Sequence, residues 1–265
     1  MTAKVLRGAM YLLTGAVLLT GCKGKTADNP APSGTNTAEK PSVPVFHVDA
    51  ATAGEIDGMV TYKGAKPKPV VVDMSSDPSC AATHKGKVYD ESLVVNGKGE
   101  LGNAFVYISK GLEGKNFEVP QDAVTIDQKG CWFRPRVMGV QVGQTFDVTN
   151  SDPVTHNIHP VAVTNREWNH SQGPGDPTMH RKFTKTEVMI PVKCNIHDWM
   201  HAYIGVVDNP YFAVTKDDGS FTLKNVPPGT YTVTVWQEKL GTQQAEVTVP
   251  ASGKADAKVV FSAKS

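Results

Sequence analysis

Tyr231 to Trp236 alternates side chains with period two, and Pro228-Gly229 marks a turn just before it. This is the signature of a half-buried β-strand, with alternate side chains sent to opposite faces. The same kind of signal recurs through the chain, in I-D-G-M-V-T-Y-K-G from Ile56, P-V-V-V-D-M from Pro69, S-L-V-V from Ser92 and N-A-F-V-Y-I-S from Asn103. It continues at Ala123 to Asp127, Arg136 to Val142, Thr145 to Thr149 and Glu187 to Val192. Gly, Pro and Asp/Asn clusters separate these runs, Asp218-Gly219 reads as a hairpin turn, and few stretches carry a helical period. With 24 glycines and 18 prolines in 265 residues, the expected class is all-β, with room for two domains. The region from Asn165 to His180 lacks a clear period and reads as a loop.

Charge excludes one class of partner. Against 27 basic residues stand 26 acidic ones, so no net field favours a nucleic acid or another polyanion. At the N-terminus, Lys4 and Arg7 precede an apolar run from Ala9 to Leu19, long enough for a signal-peptide core and too short to span a membrane. The run ends in Leu19-Thr20-Gly21-Cys22, which resembles the lipobox of bacterial lipoproteins. The resemblance implies a leader over residues 1–21, lipid on Cys22, and a protein anchored to the cell envelope facing the periplasm. Lys23 in place of Asp after the cysteine favours the outer membrane. An ordinary secretory signal with an incidental cysteine is the alternative. Residues 22–54, rich in Pro, Ala, Ser, Thr and Asn, read as a flexible tether with a reach of about 30 Å.

The C-terminal pattern D-G-S-F-T-L-K-N-V-P-P-G-T-Y, from Asp218, resembles the carboxypeptidase regulatory-like (transthyretin-like) β-sandwiches, which are accessory or adhesion modules. Residues 209–265 are short for such a sandwich. Ile56-Asp57-Gly58-Met59-Val60, with Gly64 and Pro67, resembles the opening strand and turn of the same family. The expectation is therefore a discontinuous second domain, residues 55–122 plus 209–265, with residues 123–208 inserted between.

The inserted part carries the chemistry. Val192 to His201 reads V-K-C-N-I-H-D-W-M-H and offers a thiol, two imidazoles and a thioether, a set suited to soft and borderline metals. The spacing Cys194-x2-His197-x2-Met200 also fits one face of a helical turn, in which these would be packing residues. Pro191 and the β-branched residues before it favour instead a strand ending near Cys194 and a loop that turns His197 and Met200 back. A second imidazole is then needed from elsewhere, and Asn150 to His159, N-S-D-P-V-T-H-N-I-H, provides it.

Together, the short Cys-x2-His-x2-Met loop, His-Asn-Ile-His and the preceding V-G-Q-T-F-D-V-T-N resemble the cupredoxins, and among them the amicyanins more than the plastocyanins. The resemblance implies a Greek-key β-sandwich over residues 123–208 holding one mononuclear type 1 copper. His156, Cys194 and His197 would be strong ligands and Met200 a weak axial one. Asn157 would tie the two ligand loops together, and His159, three residues on, would point away from His156. Trp199 reads as packing that keeps water from the metal, with contact to an electron partner as the lesser role. His201 reads as a neighbouring surface histidine, with docking or proton coupling as the sharper alternative. His47, His84, His170 and His180 read as surface residues, with His180 beside Met179 as a weak candidate for a second copper.

With Cys22 given to lipid and Cys194 to metal, Cys80 and Cys131 are left in an oxidising compartment, where a disulfide is expected; two free buried cysteines are the alternative. All ligand positions are filled in this arrangement, so the expected function is one-electron transfer to a periplasmic or membrane redox partner, without enzymatic turnover. The runner-up is a copper-handling or envelope-interaction lipoprotein, and a zinc site is a third reading.

Overall fold

The computed structural model describes residues 43–263; the expected leader, Cys22 and most of the expected tether lie outside the described residues. The stretch expected to be flexible as far as residue 54 is docked from Val43 onward. Val45 bridges Asn116, the Asn116 side-chain amide donates to the Val43 carbonyl at 2.9 Å, and the Phe46 ring meets Phe117 edge-on at 5.6 Å. Phe46 and Val48 supply apolar surface that the surrounding prolines and threonines mask in a composition average.

The chain begins with β1 (Gly54–Lys63) and then a segment in which β2 (Val71–Val72) and β3 (Val88–Tyr89) flank the single-turn helix α1 (Pro78–Ala82). After β4 (Phe105–Lys110) come β5 (Val124–Gln128), β6 (Phe133–Arg134), β7 (Val137–Gln141), β8 (Phe146–Asn150) and β9 (His156–Pro160). Next are β10 (His170–Gln172), β11 (Met179–Arg181), β12 (Glu187–Lys193) and β13 (His201–Val207). The described chain closes with β14 (Phe212–Val214), β15 (Ser220–Val226), β16 (Gly229–Gln237), β17 (Gly241–Val249) and β18 (Lys254–Ser262). The described residues are all-β apart from α1, and no helix among them is long and apolar enough to cross a membrane.

Two sandwiches result. The first stacks a sheet of order β10-β9-β12-β13-β7 on one of order β11-β8-β5-β6, around Ile126, Phe146, Val148, Ile158, Ile190 and Ile204. The second stacks β15-β1-β18 on β14-β4-β16-β17, around Ile56, Leu101, Ile108, Leu223, Val233 and Phe261. Strand β1 lies in the middle of its sheet, antiparallel to β15 and parallel to β18 from Glu55↔Lys254 to Lys63↔Ser262. The chain between β1 and β4 does not stay with them: Met74 and Cys80 are buried in the core of the first sandwich. Grouping all of residues 55–122 with the second sandwich therefore misplaces α1 and its flanks.

Two further expectations are corrected. The stretch from Asn165 to His180 contains β10 and the first two residues of β11, strands of three residues each and too short to show a period. Asp218-Gly219 does close a tight turn, the Gly219 amide donating to the Lys216 carbonyl at 2.8 Å and the Lys216 amide to the Ser220 carbonyl at 3.1 Å, but the strands beyond it part, because β14 pairs with β4 and β15 with β1, so the chain changes sheets here. Gly219 has φ of +74°, and a Cβ there would lie 2.5 Å from the Val60 carbonyl oxygen, so only glycine suits the crossing.

Strand β13 is apolar on both faces because both are covered. Ala202, Ile204 and Val206 face the first core, while Val207, with Tyr203 packed against it, meets Phe105 and Trp236 of the second sandwich. Gly139 and Gly205 are paired in the parallel β7–β13 register and leave a flat patch. The Phe212 ring lies where a Gly139 Cβ would be, at 2.2 Å, and the Phe105 ring where a Gly205 Cβ would be, at 2.4 Å. A buried bidentate pair between Arg136 and Glu238, at 3.0 Å for both bonds, crosses the same contact.

Candidate metal centre

One end of the first sandwich gathers the donor side chains. His156 opens β9 on its inward face and is fully buried. Cys194 follows the last residue of β12, and the chain from there to Met200 is a closed loop in place of a helical turn. The Met200 amide donates to the His197 carbonyl at 3.1 Å, and the Cys194 amide to the Met200 carbonyl at 3.2 Å. Hydrogen bonds that close the loop onto its own start turn the side chains of Cys194, His197 and Met200 inward, each 3% exposed or less.

His156, Cys194 and His197 each offer a ligand atom within 4.8 Å of the others. The two imidazole Nδ1 atoms are 2.9 Å apart, and Cys194 Sγ lies 3.7 Å from His197 Nδ1. Bonds of about 2.0 Å from nitrogen and 2.3 Å from sulfur to a single ion span such gaps, so the donor set fits one soft or borderline cation. Met200, at the end of the same closed loop, is fully buried in the core that also holds Cys194. Two other groupings, Asp77-Cys80-His197 and Cys131-Asp152-His156, also bring donors close. They do not compete, because Cys80 and Cys131 are joined in a disulfide and offer no thiolate.

The ring orientation has a definite cause. His156 Nε2 donates to Asp152 Oδ2 at 2.9 Å and His197 Nε2 donates to Asp77 Oδ2 at 3.0 Å, which leaves both Nδ1 atoms facing the thiol. Asp152 is itself held by the amides of Gly130 at 2.6 Å and Cys131 at 2.7 Å. Burial raises the Asp152 carboxyl, but the His156 contact and these two amides outweigh it and hold it below the usual carboxylate range.

Burial likewise pulls the His156 imidazole down, and the contacts with Asp152 and Cys194 outweigh it, holding the group at about 9. Burial pushes the Cys194 thiol up, whereas His156 and the amides of Asn157, His197 and Ile196 bring it down to about 6. At neutral pH the metal-free site is thus a buried thiolate beside an imidazolium.

The neighbouring residues take distinct places. The Asn157 amide donates to Cys194 Sγ at 3.4 Å, and its side chain accepts from the Asn195 amide, linking the β9 strand to the Cys194 loop. The Trp199 ring lies 5.1 Å from that of His197, and its Nε1 donates to the Cys131 carbonyl at 3.1 Å. His201 is exposed at the start of β13. His159 turns away and contacts Glu167 at 2.6 Å. Of the remaining histidines, His84 donates to the Gly130 carbonyl at 2.8 Å and so is structural, while His180 pairs with Asp147 at 2.6 Å.

Sequence reading missed Asp77 and Asp152. Asp152 lies four residues before His156, inside the stretch that supplies this ligand, and its acid was the available clue. Asp77 is 120 residues from His197, and nothing local in Asp77-Pro78-Ser79-Cys80 except the cysteine points to the metal end.

Residues 191–257 match a family model described as polysaccharide lyase family 4, domain II. No curated protein matches the chain. Among solved structures, the chain is similar to a copper-containing nitrite reductase from Thermus scotoductus SA-01, at 22% identity and a TM-score of 0.31, over 39% of this chain and 25% of that one. An oxidised mutant of amicyanin matches at 19% identity and a TM-score of 0.29, over 38% of this chain and 97% of that one. A purple cupredoxin from Nitrosopumilus maritimus matches at 24% identity and a TM-score of 0.27, over 32% of this chain and 99% of that one. The chain therefore spans about a quarter of the nitrite reductase it resembles and nearly all of the two small cupredoxins.

Proposed function

We propose that this chain is a mononuclear type 1 copper protein that passes single electrons, without enzymatic turnover. The observation that carries the reading is the buried convergence of His156, Cys194 and His197, with Met200 buried at the end of the same loop, at one end of the first sandwich. Copper, when bound, supplies a one-electron couple. The chain's own residues do the rest. Cys194 gives a thiolate, His156 and His197 give Nδ1 donors once His156 loses its proton, and Met200, buried at the end of the same closed loop, would be the weak fourth contact. Donors held from β9 and from a closed loop move little when charge changes, which keeps the reorganisation accompanying electron transfer small.

In this reading the lipobox-like Leu19-Thr20-Gly21-Cys22 anchors the protein to the envelope through lipid on Cys22, facing the periplasm. Its partner is a periplasmic or membrane redox protein within reach of the tether. The second sandwich serves as a carboxypeptidase regulatory-like accessory module.

Copper reconstitution followed by visible spectroscopy tests the assignment. The wild-type protein is expected to show an intense thiolate-to-copper band that bleaches reversibly on reduction. Cys194→Ser should abolish it, while Met200→Leu should keep the colour and change the potential. Retention of the band in Cys194→Ser would overturn the ligand assignment.

A further inference from the structure

Asp77 stands outside the strands that carry the ligands, yet it touches one of them. It caps α1, its Oδ1 accepting from the amides of Ser79 at 2.8 Å and Cys80 at 3.2 Å, while Oδ2 accepts from His197 Nε2 at 3.0 Å. The helix is stapled in place by the Cys80–Cys131 disulfide, and Cys80 Sγ lies 3.7 Å from the same Nε2. The outer edge of His197 is thereby covered, and the residue is 2% exposed. Across the disulfide, the Cys131 amide holds Asp152, which takes Nε2 of His156 in the same way. Both imidazoles are thus backed by carboxylates whose supports are covalently linked.

We infer that Asp77 is a positioning residue for the metal centre: it fixes the tautomer and orientation of His197 and, as a partly exposed anion at the ring's outer edge, paired with the buried Asp152 on His156, favours the oxidised ion. This rests on the copper reading above. The physical basis is general. A carboxylate accepting from the outer nitrogen of a ligating histidine makes the inner nitrogen a better donor, and its negative charge is felt more strongly by the doubly charged ion than by the singly charged one.

Asp77→Asn separates this role from helix capping. Asparagine caps about as well as aspartate through its remaining oxygen, but it carries no charge, and its amide nitrogen has no lone pair to accept from Nε2. In the full-length protein loaded with copper, Asp77→Asn is expected to weaken Cu(II) binding by roughly 10–100-fold relative to wild type. A tenfold loss for Cu(II) with Cu(I) unchanged raises the midpoint potential by about 59 mV. Asp77→Glu should recover part of the shift.

Asp73→Asn serves as the comparison. It removes the same charge from an exposed aspartate whose carboxylate accepts from the Ser75 amide at 2.9 Å, and it should leave the potential near that of wild type. Should Asp77→Asn fail to fold, Asp77→Ser, which keeps a capping oxygen but is too short to reach His197, carries the same expectation. A potential that moves no further in the Asp77 variants than in Asp73→Asn, in a wild-type protein that shows the thiolate band, would overturn the inference and leave the copper reading standing. Absence of the band in wild type would overturn the copper reading, and this inference with it.

Discussion

The buried thiolate–imidazolium pair sets how the site takes up a cation. His156 is held at about 9 and Cys194 at about 6, so between these values one proton, on His156, competes with the incoming ion. Apparent affinity for Zn(II), a redox-silent probe, should therefore rise by about tenfold per pH unit from pH 6 to 9, because each unit removes tenfold more of the competing proton. Above about 9 the dependence should flatten, and below about 6 it should steepen as Cys194 also protonates. Competition titrations against a chelator across this range check the sign; affinity independent of pH from 6 to 9 would show that His156 is not the proton-carrying group. At this scale the sequence was readable where motif and chemistry coincide, at Cys194, His197 and the paired histidines of β9. The carboxylates behind the rings were not, since the contact of Asp77 with His197 exists only once α1 is folded across the site.

The elements around the centre owe their stiffness to short loops and one covalent link. The Cys194 to Met200 loop closes on itself by two backbone hydrogen bonds, and α1 by itself is too short to be stable. What keeps α1 over His197 is the Cys80–Cys131 disulfide, which spans 51 residues of sequence. By loop entropy a crosslink of that span contributes about 4 kcal/mol. Replacing both cysteines by serine is expected to lower the unfolding free energy of the full chain by about that amount, read from urea midpoints with and without metal. A change under about 0.5 kcal/mol, the size typical of neutral surface substitutions, would mean that the staple is not structural. The strand signals of β5 and β8 were legible because each presents an alternating face to the first core, whereas β7 and β12, which also reach the second sandwich through Val137 and Met189, were legible from their runs of Val, Ile and Met. Strands β10 and β11 were not, because three residues cannot establish a period, and the change of sheet after the Asp218-Gly219 turn was not, because a tight turn alone does not say which sheet the next strand joins.

Across the whole molecule, the second sandwich depends on strands far apart in sequence. β1 lies between β15 and β18, and β4 lies between β14 and β16. A fragment of residues 209–265 lacks both central strands and so should lack cooperative folding, measured as an absent thermal transition by circular dichroism; a stable fold would contradict a domain shared between the two ends of the described chain. Its all-β character was evident from the alternation in Tyr231 to Trp236. The flat patch of Gly139 and Gly205 was not, because a glycine in a strand does not announce whose ring it accommodates. The parallel pairing of β1 with β18 has one more consequence. The chain enters β1 at Gly54 and leaves β18 at Ser262, at opposite ends of two strands running the same way. A pull between these points loads the whole ladder from Glu55↔Lys254 to Lys63↔Ser262 in shear, so its hydrogen bonds must yield together and cannot peel one at a time. The strand that joins the two ends of the described chain is thus also its mechanical clasp.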